Sequence, residues 1–143
     1  MKRLLYVLIG CLVLVACDIE TSDNGDLDGF WQMTQIDTLG GRSGDMREKY
    51  VFWCVQGKLI ETYIARNSAM NEIVYTFDKT ADSLLLHSPY ISDRGNGDIK
   101  VEDVALLRAY GINQLEERFK IQQLSADNMV LESAMLRLYF RKY

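Results

Sequence analysis

The sequence has little of the side-chain chemistry that catalysis or metal binding requires. It contains one histidine, His87, and no cysteine or acidic cluster flanks that residue at the spacing of a metal site. It carries neither the Gly-x-Ser-x-Gly motif of serine hydrolases nor a phosphate-binding glycine loop. We therefore expect a protein that is not an enzyme and that holds no metal ion and no cofactor.

Cysteine and proline are also scarce. Of the three cysteines, Cys11 and Cys17 lie near the N-terminus, and Cys54 alone remains to the rest of the chain. One cysteine cannot form a disulfide framework. Because Cys54 lies in an apolar, alternating stretch, we expect it to be a small buried hydrophobic residue. The only proline, Pro89, is expected in a long loop, residues 88–98, whose second half is rich in glycine and aspartate.

Positive charge is in short supply as well. The chain has 16 Lys and Arg against 20 Asp and Glu, which gives a formal charge of −4. Loss of residues 1–16 would remove Lys2 and Arg3 and leave 14 basic residues, so the charge would become −6. An acidic surface repels phosphate backbones, and no run of Lys and Arg counteracts this repulsion. We therefore expect no nucleic-acid partner.

The N-terminus holds the clearest signal that is present. Lys2 and Arg3 precede an uncharged apolar run over residues 4–15, which is shorter than the about 20 residues of a membrane-spanning helix. The run ends in Leu14-Val15-Ala16-Cys17, which resembles the lipobox of bacterial lipoproteins. This resemblance implies a signal peptide over residues 1–16, cleavage before Cys17, and acyl chains such as palmitate that anchor Cys17 to a membrane. An ordinary secretory signal and an uncut N-terminal anchor are the alternatives.

Residues 17–28 are rich in Asp, Glu, Ser, Asn and Gly, so we expect a solvated linker between the lipid and a globular domain. Asp18 and Glu20 resemble the acidic surface-export signal of some gut bacterial lipoproteins, which favours the outer membrane as the location within the cell envelope.

The residues from Asn24 onward resemble the start of a calcium loop. The position that should be glutamate is Gln35, however, so we expect no calcium site.

Residues 29–143 show the period-two alternation of half-buried β-strands, divided by short polar stretches. A helical pattern interrupts them at residues 101–110, where Val104, Leu107 and Tyr110 share a face and Gly111 is a stop signal. The pattern favours an all-β fold: an eight-stranded antiparallel up-and-down barrel, with a helical insert between strands five and six, over a two-sheet sandwich. The predicted strands are residues 30–37, 50–55, 58–65, 73–78, 83–87, 118–122, 129–132 and 135–142.

The start of the first strand, Gly29-Phe30-Trp31, resembles the Gly-x-Trp signature of lipocalins. The resemblance implies that Trp31 plugs the closed end of the barrel and that an arginine from the last strand, Arg141 or failing that Arg137, lies across it. The chain departs from true lipocalins because it lacks their Thr-Asp-Tyr turn and a helix after the last strand. It looks more like short lipocalin-like lipoproteins of Gram-negative gut bacteria, a likeness that residues 96–104 and 110–113 carry and that implies no defined activity.

Two functions stay open, because an eight-stranded barrel either fills with side chains or holds one small ligand. The first is binding of a small apolar or amphipathic ligand, and the second is a structural or interaction role in the envelope with a filled core. Tyr50, Tyr63 and Tyr75 offer hydroxyls to a ligand at the barrel mouth. The residues expected to face inward are Phe52, Tyr75, Phe77, Leu86, Phe119, Ile121, Met129, Leu131, Leu138 and Phe140. The candidate ligand contacts are Phe52, Tyr63, Tyr75, Phe77, Leu86, Phe119 and Leu138.

The insert over residues 88–110 is a second candidate site. Long loops in compact domains are usually functional or disordered, and the apolar helix face that contains Val104 and Leu107 must cover some part of the barrel. Over an opening, the insert would be a lid that moves when a ligand enters. Along the wall, it would be a docking surface for an envelope protein. Glu116 and Glu117, which follow it, are expected on a solvated face.

Overall fold

The computed structural model describes residues 22–143, which form ten antiparallel strands and three short 3₁₀ helices. Strands form at the alternating stretches because successive side chains point to opposite faces of the pleat, so one face packs and the other meets solvent. The strands are β1 (Gly29–Thr38), β2 (Ser43–Asp45), β3 (Val51–Gln56), β4 (Leu59–Ile64), β5 (Ile73–Lys79), β6 (Ser83–Ile91), β7 (Ile99–Lys100), β8 (Glu117–Leu124), β9 (Asn128–Glu132) and β10 (Leu136–Lys142). The helices are Gly25–Leu27, Arg47–Lys49 and Val104–Tyr110.

The sheet closes on itself. Its main strands follow the order β10-β9-β8-β6-β5-β4-β3-β1, and β1 pairs with β10 to complete the ring. A two-residue turn, Gly57-Lys58, joins β3 to β4, and the φ of 60° at Gly57 suits such a turn. The predicted eight-stranded up-and-down barrel with its helical insert between strands five and six is confirmed, and the sandwich alternative is wrong. The short strands β2 and β7 extend the sheet beside β1 and β6.

Large apolar side chains fill the barrel interior. Most of the residues predicted to face inward do so, and Ile121 is partly buried against them. The confirmed inward residues are Tyr75, Phe77, Leu86, Phe119, Met129, Leu131, Leu138 and Phe140. The same core cluster contains further large residues, among them Trp31, Met33, Trp53, Ile60, Ile73 and Leu84.

Two of the predicted interior residues lie on the outer wall instead. On β3 the inward side belongs to Val51, Trp53 and Val55, and this parity turns Phe52 outward. Tyr63, directly opposite Phe52 on β4, also faces outward, and the two rings stack with centroids 5.4 Å apart. The prediction failed because β3 is apolar at nearly every position, so alternation alone leaves two possible parities.

A β-bulge changes the parity of β1. The register shifts between Met33, which pairs with Phe140, and Gln35, which pairs with Tyr139. Strict alternation along the strand would keep Trp31, Met33 and Gln35 on one face. Met33 faces the core, but Gln35 turns to the outer wall and Ile36 packs against the core in its place, so this face ends at the bulge.

A second bulge lets β6 run through Pro89. Ser88 and Pro89 together lie opposite Tyr75, and Ser88 has a φ of 54°. Proline is tolerated within a sheet at such a bulge, where it removes no ladder hydrogen bond. The prediction of a loop over residues 88–98 is wrong for residues 88–91, which belong to the strand. Residues 92–98 connect β6 to its hairpin partner β7.

Residues 22–28 pack onto the barrel and do not form a solvated linker. Leu27 is buried in the core, the backbone NH of Gly57 donates to Ser22 Oγ at 2.7 Å, and Asn24 Nδ2 donates to the Gly57 carbonyl at the same distance. The packed unit thus includes residues before Gly29.

The predicted signal peptide and the lipid site at Cys17 lie outside the described residues. Within residues 22–143 there is no helix of the length and apolarity needed to cross a membrane.

Candidate functional site

The barrel interior is the first candidate site. Tyr75, Leu86, Phe119 and Leu138 are each 0% exposed, so none of them borders a space that admits a water molecule. The aromatic residues pack on one another: the Trp53 ring lies edge-on to Phe119 with centroids 5.7 Å apart. The interior is therefore filled with side chains in this conformation. A ligand can enter only if core side chains or one end of the barrel move.

Two buried hydroxyls, those of Tyr75 and Thr62, interrupt the apolar interior. The hydroxyl of Tyr75 is buried and has no hydrogen-bond partner in the described chain. Burial raises the pKa of Tyr75. Thr62 is itself fully buried and donates to the Ile73 carbonyl at 3.4 Å. An unpaired buried hydroxyl costs about 1–3 kcal/mol, so a hydrogen-bonding group from a ligand would be favourable at this position.

The first end of the barrel, which we call the Trp31 end, is closed by the segment before β1. Trp31 is fully buried and its Nε1 donates to the Leu27 carbonyl at 2.8 Å, so Leu27 and Trp31 together plug the opening. Gly29 has a φ of 122°, which favours glycine, and a Cβ there would lie 3.5 Å from the Lys142 side chain. The predicted burial of Trp31 at a barrel end is confirmed.

The cation over Trp31 is a lysine and not the predicted arginine. Lys142 lies opposite Trp31 in the β1–β10 register, and its Nζ is 4.6 Å from the ring centroid. Arg141 lies opposite Gln32 on the outer wall and donates to Gln32 Oε1 at 2.9 and 2.7 Å. The prediction for Arg141 is wrong because adjacent strand residues face opposite sides. The fallback, Arg137, pairs with Glu132, also away from Trp31.

The opposite end is closed by residues 101–112, which we call the cover. Leu107, Tyr110 and Ile112 of the cover are fully buried in the barrel core. Trp53 Nε1 donates to the Tyr110 carbonyl at 3.1 Å, and the Tyr110 hydroxyl donates to the carbonyl of Asn71 between β4 and β5. Of the two positions predicted for the insert, over an opening or along the wall, the cover takes the first.

Local sequence explains the conformation of the cover. Asp103 accepts a hydrogen bond from the Ala105 NH at 2.9 Å and so begins the helix. The 3₁₀ geometry has three residues per turn, which aligns Leu107 with Tyr110 on the buried side. Gly111 ends the helix with a φ of 80°, and a Cβ on it would lie 2.9 Å from a methyl of Leu138. The predicted stop at Gly111 is confirmed, and the helix is a 3₁₀ helix that begins at Val104.

Glu117 supports the segment after the cover and is not on a solvated face. It is 4% exposed, and its Oε2 accepts a hydrogen bond from the Asn113 NH at 3.2 Å. Burial raises the pKa of Glu117, while hydrogen bonds from Asn113 and Ser133 oppose the rise. The prediction of an exposed Glu117 is therefore wrong, although its neighbour Glu116 is exposed.

His87 lies on the outer wall in a network that the sequence did not predict. Its Nδ1 and Nε2 are each 3.1 Å from a partner oxygen, Ser88 Oγ and Asp78 Oδ2 respectively. The order hydroxyl, imidazole, carboxylate resembles a catalytic relay, but Asp78 has 74% of its side chain exposed and water competes for it. We interpret the network as support for the bulge at Ser88.

Residues 22–143 contain no group of three His, Cys, Asp or Glu side chains placed to hold a metal ion.

The outer wall of β3 to β6 carries a groove of about 870 Å³. Its lining includes Ser22, Cys54, Glu61, Val74 and Tyr90. Burial and the nearby Glu61 raise the pKa of the Cys54 thiol. Cys54 is half-buried and faces this groove, so the prediction of a buried core cysteine is wrong. Because the thiol is shifted towards its protonated form, the groove does not supply an activated nucleophile.

The sequence pattern did not identify three residues that shape the interior: Trp53, Thr62 and Lys142. The alternation Val51, Trp53, Val55 was a usable signal for Trp53, since it is as regular as the series that contains Phe52. Lys142 is identified only by the register between β1 and β10, which a single sequence does not specify.

Comparisons with known proteins agree with this architecture. A family model described as a lipocalin-like domain matches residues 12–143. A lipocalin-like protein from Bacteroides uniformis aligns with a TM-score of 0.64 at 20% identity, over 83% of this chain and 100% of its own. An uncharacterized protein from Bacteroides eggerthii aligns with a TM-score of 0.61 at 18% identity, over 81% and 98%. At these identities the two structures support the fold alone. No curated protein matches the chain.

Proposed function

This chain belongs to the family of lipocalin-like domains, and we propose that it is a lipid-anchored protein of the bacterial cell envelope that binds a partner through the outside of a filled barrel and catalyses no reaction. The observation that carries the proposal is the interior, where the core side chains leave no space for water and both ends are closed. A filled barrel is a rigid support for surface contacts. The lipid anchor rests on the lipobox at residues 14–17 and the outer membrane on Asp18 and Glu20.

The surface of the covered end offers the partner site. Leu106, on the outer side of the cover, and Leu115, just after it, are exposed. Leu39 and Met135 are exposed at the same end, where the Leu39 NH donates to the Met135 carbonyl at 3.1 Å. Exposed apolar residues that cluster on one end of a domain are typical of protein contacts. We therefore assign the expected envelope partner to this end.

A photo-crosslinking residue tests this assignment. With the crosslinker at Leu106 in intact cells, we expect a discrete adduct with an envelope protein. The matched control carries the crosslinker at Ala126, an exposed residue in the β8–β9 turn at the Trp31 end, and should give none. Absence of an adduct at Leu106, or the same adducts at both positions, would contradict a partner site at the covered end.

Binding of a small apolar ligand inside the barrel is the second candidate, and the unpaired Tyr75 hydroxyl favours it. The cover would then act as a lid that moves before the ligand enters. A solvatochromic apolar dye added to the 22–143 fragment distinguishes the two functions. A filled barrel predicts no saturable binding. Saturable binding that weakens in Tyr75→Phe and persists in the outer-wall variant Tyr63→Phe would replace the first function with the second.

The anchor has its own test. The Cys17→Ser variant should lose acyl labelling in cells fed a palmitate analogue and should no longer run as the mature form. Protease treatment of intact cells should degrade the wild-type protein if it is exposed on the outer membrane. Undiminished labelling of Cys17→Ser would disprove attachment at that residue, and a protected wild-type protein would place the anchor on a face turned towards the periplasm.

A further inference from the structure

Three large apolar side chains are exposed together on one side of the Trp31 end. Phe30 is 51%, Leu59 is 44% and Tyr143 is 80% exposed, and we call these three residues the apolar rim. The Tyr143 NH donates to the Phe30 carbonyl at 2.9 Å. Phe30 is the second residue of β1 and lies opposite Cys54 on β3, and Leu59 begins the next strand, β4. Tyr143 directly follows β10, which pairs with β1 on its other side. The rim therefore extends from the end of β10 across β1 and β3 to β4, and these neighbouring strands are each about 4.8 Å apart.

The remaining turns at this end are polar. The β5–β6 turn is held by Thr80, whose hydroxyl donates to Asp82 at 3.0 Å. The β8–β9 turn is held by Ser125, whose hydroxyl accepts from the Asn128 NH at 3.1 Å. Exposed large apolar residues at the Trp31 end are thus confined, within residues 22–143, to the side formed by β1, β4 and the C-terminus.

The chain enters the barrel beside this rim. Ser22 and Asn24 are both hydrogen-bonded to Gly57, two residues before Leu59. Cys17 precedes Ser22 by five residues, and a chain spans at most about 3.3–3.6 Å per residue, so the two lie within about 18 Å of each other. If Cys17 carries the lipid, as the proposed function requires, the Trp31 end cannot leave the neighbourhood of the bilayer. The covered end lies about 30 Å away along β1, at about 3.3 Å per residue.

We propose that the apolar rim rests in the membrane interface and holds the barrel with its Trp31 end towards the bilayer. Tyrosine prefers the boundary between headgroups and acyl chains, where its ring meets hydrocarbon and its hydroxyl stays in water. Phenylalanine and leucine are among the apolar residues that bury into this boundary from the surface of an interfacial protein. Lys58, exposed next to Leu59, has an apolar stem that can lie along this boundary while its amine stays among the phosphates. The partner surface at the covered end then points away from the membrane.

The test uses the full-length lipidated protein in phosphatidylcholine vesicles, which carry no net charge and so report apolar contact. In a Cys54→Ser background, an environment-sensitive dye is placed on Leu59→Cys or on Met135→Cys, the exposed control at the covered end. We expect a blue-shifted emission at position 59 and several-fold stronger quenching by nitroxide lipids than at position 135. Adding Phe30→Ser and Tyr143→Ser should reduce the quenching at position 59.

Two outcomes overturn the proposal, and a third refutes the anchor on which it rests. Equal quenching at the two positions in lipidated protein removes the rim contact but leaves the anchor intact. A blue shift at position 59 without quenching means that a second protein copy covers the rim, because nitroxide lipids act only at lipid contact. Protein whose mass shows no acyl chains fails at the anchor, which refutes the proposed function separately from the rim.

Discussion

The two ends of the barrel are closed by different sets of contacts. At the Trp31 end the closing hydrogen bond joins Trp31 to Leu27, four residues apart. At the covered end Tyr110 bonds to Trp53 and Asn71, which are 57 and 39 residues away. Long-range bonds from Ser22 and Asn24 to Gly57 reinforce the local bond of Trp31, whereas the two bonds of Tyr110 that hold the cover are both long-range. A local contact forms at a smaller cost in loop-closure entropy. We therefore expect the covered end to open at a lower free energy than the Trp31 end, and to be the end through which any ligand would pass.

Loss of the plug at the Trp31 end should have the largest effect on stability. Trp31→Ala removes a fully buried indole and its bond to Leu27, and we expect a loss of about 3–5 kcal/mol in the free energy of unfolding. Trp31→Phe is the matched control, since it keeps a ring but loses the Nε1 donor, and should lose less. The measurement is urea unfolding. An unchanged midpoint for Trp31→Ala would refute the structural role of this plug.

Gly111→Ala should have the next largest effect, confined to the covered end. An alanine at a φ of 80° costs about 1–2 kcal/mol, and its Cβ would also overlap Leu138 at 2.9 Å, which adds about 1 kcal/mol or more. Gly57→Ala is the control, because it has a φ of 60° but no atom within 4 Å of the new Cβ. Amide hydrogen exchange should rise over residues 101–112 in Gly111→Ala and not in Gly57→Ala. Equal exchange in the two variants would argue against a separately opening cover.

The same difference in range explains what the sequence predicted. Alternation and turn residues are local, so they predicted the barrel and the position of the insert. The burial of Trp31 was implied by the resemblance of Gly29-Phe30-Trp31 to the lipocalin signature. The parity of β3 and the cation over Trp31 depend on pairings between strands far apart in sequence, and there Phe52, Tyr63 and Arg141 were misplaced. Glu117 was misplaced for a similar reason, because its burial results from the cover and the β9–β10 turn, which supplies Ser133.

Tyr110→Phe should loosen the cover more gently. The change removes the hydrogen bond to Asn71 and keeps the ring, so we expect a loss of about 1 kcal/mol. Exchange over residues 101–112 should increase while exchange at Trp31 and its neighbours stays constant. Tyr63→Phe, which removes a hydroxyl from the outer wall, serves as the control and should change neither region. A variant that exchanges faster at both ends alike would show that the two closures open together.

The smallest effect is expected for Glu117→Gln, and its sign depends on pH. Burial raises the pKa of Glu117 above its ordinary value of 4.5, so between the two pKa values the folded protein holds a proton that the unfolded chain has released. Stability from this group is therefore present at low pH and is lost as pH rises through the folded pKa. At neutral pH Glu117→Gln should be more stable than wild type by about 0.5 kcal/mol, since glutamine avoids burying the charge and still accepts from the Asn113 NH.

The gain in stability of Glu117→Gln should vanish below pH 4.5 and should be absent in the exposed control Glu116→Gln. If Glu117→Gln is instead less stable at neutral pH, the charged carboxylate itself holds the segment after the cover, and acid rather than base should open this end.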